Sequence, residues 1–275
     1  MPKHEGVHAD ISMEEYVADP CPEPSLSTTT AQLLLSRSAL HAWWAHPRLG
    51  GHRDESSRAD LGSAVHAALF GGASVVYAPE EFLDWRKKDA QTFRDEARVR
   101  GELPLLHHQR AEIEEMSGPA KERLARLGVT EFERTLLWRD FCWCRSRPDA
   151  MDKERSIIVD YKTASNADPG TWIRSTIIPG GYDIQAGLAL RGLAAIDPGK
   201  RREFLFLIQE IDPPYCLSVI GFGPEFLDVA EKKVDAAINR WAECLETKRF
   251  PAYDERTHYA DPPGYAIMQA EGLSR

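Results

Sequence analysis

Two short stretches carry the residues that could do chemistry: Arg147-Pro148-Asp149 and, after ten intervening residues, Asp160-Tyr161-Lys162. The β-branched run Ile157-Ile158-Val159 leads into the second stretch and reads as a strand. Alternation along that strand puts Asp160 and Lys162 on one face and Tyr161 on the other. Asp149, at the end of a preceding strand, can fold back beside them. Two carboxylates and an ammonium converging on one point suit a divalent metal ion and a water aimed at a phosphodiester. Asp149 and Asp160 are therefore candidate metal ligands. The backbone carbonyl of Tyr161 is a third oxygen, leaving room for water and a phosphate oxygen. Lys162 can orient or deprotonate the water and offset developing negative charge. A lysine that follows Ile-Ile-Val would be costly to bury without its carboxylate neighbour.

The elements that must position these groups can be read from periodicity and punctuation. Residues 27–46 read as a helix, capped by Ser27 or Thr28 and stopped by Pro47. A polar loop over 50–59 leads to a second helix from Asp60 to about Phe70, ended by Gly71-Gly72. Helical signals continue over 79–127, broken near Gly101 and Gly118-Pro119. After Gly128 the pattern changes to strands at 131–138, 141–147 and 156–163. Asp168-Pro169 starts a helix, and a second one spans 182–195. Strands at 203–211 and 216–222 precede a long helix over 224–247. The expected organisation is an N-terminal helical region (1–128), a core with a C-terminal helix (129–250) and an irregular tail (251–275), together one domain. The apolar runs Ile157-Ile158-Val159 and Phe204 to Ile208 fit central strands covered on both faces.

Composition narrows the class. The chain has 275 residues, 43% hydrophobic and 28% charged, ordinary for a globular protein. It contains no run of about 18 apolar residues, so no membrane span is expected. Residues 1–16 lack the apolar core of a signal peptide, which predicts a cytoplasmic protein. Five cysteines, an odd count, read as free thiols, with Cys142 and Cys144 a buried pair of small residues. A net charge of −9 argues against a general nucleic-acid binder. It leaves room for a local basic stripe, for which Arg86-Lys87-Lys88, Arg94, Arg98 and Arg100 are candidates.

Several motifs together resemble a known family. The Pro148-Asp149…Asp160-x-Lys162 arrangement resembles the PD-(D/E)XK nuclease superfamily. Gly180-Gly181-Tyr182-Asp183-Ile184-Gln185-Ala186 downstream is similar to its RecB-like members. Ile11 to Tyr16, Ser25, Ser27, His46-Pro47, Arg145 to Asp149 and Phe250 to Asp254 look like an exonuclease VIII (RecE-type) nuclease domain of phage type. That resemblance implies an α/β fold: a restriction-endonuclease-like core with a central mixed sheet flanked by helices and an N-terminal helical elaboration. It implies Mg²⁺ (or Mn²⁺) as cofactor, with His66, on the helix that carries Gly62, completing the metal shell. Gln185 would contact the active site or the DNA backbone, and Tyr182, on the same helix face, could supply a hydroxyl. Glu133 would help hold the metal or the 5′ end, with Glu131 competing by the same alternation. Ser25, Ser27, Arg145 and Arg147 would contact phosphate, although helix capping explains the serines equally well.

The implied activity is a Mg²⁺-dependent exonuclease on linear duplex DNA ends, running 5′ to 3′. The 3′ single strands it leaves would pass to a single-strand annealing recombinase, and the enzyme would be a homo-oligomeric ring. Two alternatives stay open: a RecB-like nuclease on single-stranded ends, and a catalytically idle nuclease fold that binds DNA. The four-cysteine grouping that holds an iron–sulfur cluster in some RecB-like members is missing.

Overall fold

The computed structural model describes residues 3–52 and 60–273. The expected loop over 50–59 therefore falls mostly outside the described residues. The frame is a five-stranded mixed sheet in the order β10-β9-β8-β7-β4: Leu217–Gly221, Glu203–Glu210, Ile157–Ala164, Ala150–Asp152 and Val129–Phe132. β8 and β9 run parallel, and the other neighbours are antiparallel. A second, three-stranded sheet pairs β5 (Thr135–Arg139) with β1 (Gly6–His8) and β6 (Trp143–Ser146). A third is the parallel pair β2 (Val75–Tyr77) and β3 (Leu103–Leu105).

β9 shows why the large sheet is central. Phe204, Phe206 and Ile208 enter one hydrophobic cluster, and Leu205 and Leu207 enter the other. Both faces are covered, so the strand reads as a continuous apolar run rather than an alternating one. The first cluster takes in α2 (Thr28–Ser36), α3 (Ala39–Ala45), α8 (Tyr182–Ile196) and α9 (Pro224–Thr247). The second takes in α4 (Asp60–Phe70) and α6 (Gln109–Arg126). Each fully buried Phe or Ile on β9 contributes about 1.5–3 kcal/mol by leaving water. The strand that must hold the chemistry, β8, is clamped between them.

The structure departs from the sequence expectation in several places. The strand expected over 131–138 is two strands in different sheets. It breaks at Glu133, which adopts a left-handed φ of 53° and turns the chain from the large sheet to the small one. The chain returns through Arg147-Pro148-Asp149, between β6 and β7. The helix expected over 27–46 is α2 and α3, because Ser38 starts a new helix by accepting the N–H of His41. The region 79–127 is not wholly helical: α5 (Lys88–Val99) leads into β3, while α6 runs unbroken through Gly118-Pro119. An internal proline costs a helix about 3 kcal/mol. Here a buried stripe of Ile113, Met116, Ala120 and Leu124 offsets it. The tail expected to be irregular contains α10 (Gly264–Leu273), which has no buried residue. A short helix, α1 (Met13–Ala18), is closed by a capping box between Ser12 and Glu15. α7 (Pro169–Thr171) continues into a π-turn over Trp172–Thr176. Among the described residues no helix is long and apolar enough to cross a membrane.

Candidate active site

The two crossings between the sheets meet at one place. Glu133 lies at the first and Asp149 at the second, and the N–H of Glu133 donates to the carbonyl of Asp149 at 2.9 Å. Across from them stands His66 on α4. That helix can approach β8 because residue 62 is glycine: a Cβ there would come within 2.7 Å of the Thr163 hydroxyl oxygen. His66 Nε2 lies 3.0 Å from Asp149 Oδ1 and 3.4 Å from Glu133 Oε1. One ligand atom from each of His66, Glu133 and Asp149 falls within 4.8 Å of the others. The neighbouring groups are fixed. The N–H of Tyr161 donates to Asp149 Oδ2 at 2.7 Å. Arg147 Nε donates to Glu133 Oε2 at 2.6 Å, and its Nη1 donates to the carbonyl of Ile11 at 2.8 Å and to Thr135 Oγ1 at 2.6 Å.

On the next turn of the cleft, Asp160 is 1% exposed. It forms an ion pair with Lys162 and accepts a hydrogen bond from the Gln185 amide. Burial, and then the charge of Asp149, push its carboxyl above the usual range, while Lys162 and His66 pull the other way. For Lys162, burial opposes the ammonium, but Asp160 and Asp149 outweigh it and raise its pKa. Burial likewise works against a charged His66, and the hydrogen bond and charge of Asp149 overcome it, so the imidazole titrates above its ordinary value. Two carboxylates thus flank one imidazole, with the Asp160 carboxyl close enough to feel the charge of Asp149. An imidazole with two carboxylates suits a small divalent cation such as Mg²⁺ or Mn²⁺, with nitrogen favouring Mn²⁺ somewhat.

Two hollows meet at these residues. A polar pouch of about 420 Å³ is lined by Thr28, Gln32, Asp160, Tyr182 and Gln185. A longer groove of about 1100 Å³ passes His66, Glu133, Ser63 and Thr163. Lys162 and Arg147 line both. A further hollow of about 910 Å³, between Trp43, Phe141 and Leu245, shares no residue with either.

This arrangement of fold and site agrees with the comparisons. The family described as "PDDEXK-like domain of unknown function (DUF3799)" matches residues 44–263. The chain belongs to that family. No curated protein matches it. A crystal structure from Eubacterium rectale, provisionally described as an exonuclease, is similar over 96% of this chain and 99% of that one, with a TM-score of 0.63 and 13% identity. At that identity the likeness shows the shared fold alone. An alkaline exonuclease from Laribacter hongkongensis is 19% identical over 68% of this chain and 97% of its own, but its TM-score of 0.29 carries no argument. The PDDEXK-like family and the shared fold place the chain in the PD-(D/E)XK superfamily, with a restriction-endonuclease-like core.

Within this PDDEXK-like site the sequence-expected residues fall into two groups. His66, Glu133, Asp149, Asp160, Lys162 and Gln185 come together, and Glu131 is instead turned to Arg155. Tyr182 faces the cleft with its ring, 5.5 Å from Lys162 Nζ, and stacks on Trp172. Ser25, Ser27 and Arg145 are not placed to meet phosphate. Arg145 is 4% exposed and lies 3.2 Å from Asp19, and its Nη1 donates to Ser25 Oγ at 2.5 Å. A guanidinium inside the core requires a counter-charge, and Asp19 supplies it. Ser27 is spent on capping α2, accepting the N–H of Thr30. Arg147 reaches the cleft, but its strongest contacts hold Glu133. The basic stripe on α5 carries acidic partners, Asp95 beside Arg94 and Glu102 beside Arg100. Cys142 and Cys144 are buried free thiols 3.9 Å apart.

Two supporting residues were missed from sequence. Phe70, one turn after His66, packs its ring edge-on to the imidazole at 4.7 Å. The i, i+4 spacing was the available signal. Gln209, fully buried on β9, accepts from the Tyr161 hydroxyl at 2.5 Å and donates to the carbonyl of Met116 at 3.0 Å. It holds the back of the strand whose N–H fixes Asp149. The only sequence hint was a polar residue directly after Phe204 to Ile208.

Proposed function

We propose that the protein is a metal-dependent DNA exonuclease that acts on linear duplex ends from the 5′ side and leaves 3′ single strands. The observation that carries this reading is the juxtaposition of the His66–Glu133–Asp149 donor set with Lys162 at the junction of two connected hollows. His66, Glu133, Asp149 and the adjacent Asp160 would hold a divalent cation, Mg²⁺ or Mn²⁺. Such an ion supplies Lewis acidity toward a phosphate oxygen and acidifies water. The protein's own groups do the rest. Lys162, kept protonated by Asp160 and Asp149, offers its ammonium to the charge that builds on the phosphate. Gln185 holds the Asp160 carboxylate in place from α8. Arg147 fixes Glu133 and ties the segment before α1 to the cleft floor through Ile11. The resemblance to exonuclease VIII further implies a ring-shaped homo-oligomer and delivery of 3′ strands to an annealing recombinase, and the proposal includes both.

Digestion of end-labelled linear and closed circular duplexes with Mg²⁺ or Mn²⁺ tests the reading. The expected result is 5′-to-3′ loss of linear duplex bearing a 5′ phosphate, with the circle intact. Rapid conversion of the circle to fragments would make the enzyme an endonuclease instead.

A further inference from the structure

Beside the polar pouch lies a separate hollow of about 530 Å³ that no step above uses. Leu35, Ile178 and Ile184 line it with apolar surface, and Lys232 and Lys233 from α9 stand among its lining residues. Gln32 and Gly180 line this hollow and the pouch alike, so the two are neighbours across one thin partition. The partition is the Gly180-Gly181 backbone. Gln32 Nε2 donates to both of its carbonyls, at 3.2 and 3.0 Å. Neither position has room for a side chain. A Cβ on Gly181 would come within 2.9 Å of the Gln32 amide group, and one on Gly180 would come within 2.9 Å of the Thr176 carbonyl. The wall is therefore bare backbone, over which an extended chain can pass closely.

We infer that this hollow is a second nucleotide subsite, which takes the base next to the scissile phosphate on the strand held in the pouch. This rests on the nuclease reading above and extends it. The argument is chemical. A nucleobase needs an apolar surface to lie against and its phosphate needs a cation within reach. Ile178 is 43% exposed, an apolar side chain held open to water next to a catalytic pouch. Lys233 is bound to the buried carboxylate of Asp183 and serves to seat α8. Lys232 is the available cation. Its partner, Asp228, is an exposed neighbour one helical turn away on α9, in a pair of the weakly held kind. The hollow thus combines an apolar floor and a displaceable ammonium, one backbone wall away from the pouch that Lys162 lines.

The test uses the full chain with Ile178→Asp and, separately, Lys232→Glu. Both side chains are exposed, so both variants fold. Two quantities are read for each. One is the Kd for a fluorescein-labelled duplex with a short single-stranded end, by anisotropy in EDTA. The other is Mn²⁺-dependent turnover of bis(p-nitrophenyl) phosphate, which is too small to span both hollows. The expected result is a tenfold or greater rise in Kd with small-substrate turnover within twofold of wild type. An unchanged Kd in both variants overturns the subsite, as does a parallel fall in small-substrate turnover, which would place these residues in the pouch itself. Failure of the wild type to turn over bis(p-nitrophenyl) phosphate counts against the nuclease reading, while the Kd comparison still decides the subsite. A wild type that binds no DNA overturns both.

Discussion

Two clusters in this molecule use the same residue types and have opposite characters. Around Asp19, the guanidinium groups of Arg145 and Arg48 and the His46 ring face one carboxylate, which also accepts hydrogen bonds from the Ser25 hydroxyl and N–H. Burial works against that carboxylate, but the His46 hydrogen bond and the Arg145 charge outweigh it and hold it down at about 2. Around His66 the balance is reversed. Three carboxylates crowd together, and Asp160 is pushed up rather than down. The first cluster is a closed structural tie that gathers cations around a single buried carboxylate. The second gathers three carboxylates at the meeting of two hollows, an arrangement that suits a cation. A histidine beside an aspartate is therefore no guide to function by itself. What separates the two clusters is how many carboxylates share the place, the direction in which their titration is pushed and whether they face an open hollow.

The sharpest break in the comparison is on the open side. Lys162→Ala removes an ammonium assigned to the chemical step and not to the core. Cleavage of linear duplex is expected to fall by about 10³-fold or more, with the variant still folded and still binding DNA. Single-turnover digestion of a labelled duplex measures it. A near wild-type rate would remove Lys162 from the reaction and with it the motif assignment.

On the closed side the effect moves from activity to stability. Asp19→Asn leaves Arg145 buried without its counter-charge and should cost about 3 kcal/mol, by urea unfolding. The acid limb carries the same information. The folded carboxyl titrates at about 2 against an ordinary 3.8, so the group stabilises the fold above pH 4 or so. That contribution, about 2 kcal/mol, is lost as the pH falls from about 4 to 2. The variant should show a flatter acid limb. Asp160→Asn should do the opposite of Asp19→Asn: without metal it should be no less stable than wild type, because one of three repelling charges is gone. A strongly destabilised metal-free Asp160→Asn would make the two clusters alike and Asp160 structural.

What the sequence disclosed follows the same division. Local features were legible. Asp160 and Lys162 share a face of β8 by simple alternation, α9 occupies the residues 224–247 expected of it, and His66 rides a helix with glycine at 62. Features that depend on distant partners were not. The choice of Glu133 over Glu131 turns on a left-handed φ at a residue that is not glycine, with no local signal for it. Arg145 and Ser25 looked like phosphate ligands because nothing near them in sequence announces Asp19. The α2–α3 break depends on Ser38 capping a second helix where the apolar pattern runs on.

Metal binding should separate the clusters by a smaller margin. A cation that binds only the folded state stabilises it by about 2.7 kcal/mol at a hundredfold excess over its Kd, which for a chain of this size is a rise of roughly 5–10 °C. His66→Ala should lose more of the Mn²⁺ response than of the Mg²⁺ response, since a nitrogen ligand favours Mn²⁺. Asp19→Asn should keep the full rise from its lower starting point. A melting curve that ignores both ions at concentrations supporting cleavage would count against a preformed acidic site.

The smallest expected effect tests how the open cluster is held. Tyr161 fixes Asp149 through its N–H, and its hydroxyl is held from behind by Gln209, which reaches Met116 on α6. Groups that orient metal ligands from behind typically change metal affinity by about tenfold or more when removed. Tyr161→Phe keeps the ring, and with it the contact to Phe70, and deletes only the hydroxyl. It should weaken Mn²⁺ binding by about tenfold, or 1.4 kcal/mol, in a calorimetric titration. Melting without metal should move less than this, because the ring still fills its place. Gln209→Glu keeps an oxygen for the phenol to donate to and should restore part of the affinity relative to Gln209→Leu. If Tyr161→Phe and Gln209→Leu bind Mn²⁺ as tightly as wild type, the network behind β8 is packing alone. The open cluster would then owe its geometry to Arg147 and the two sheet crossings.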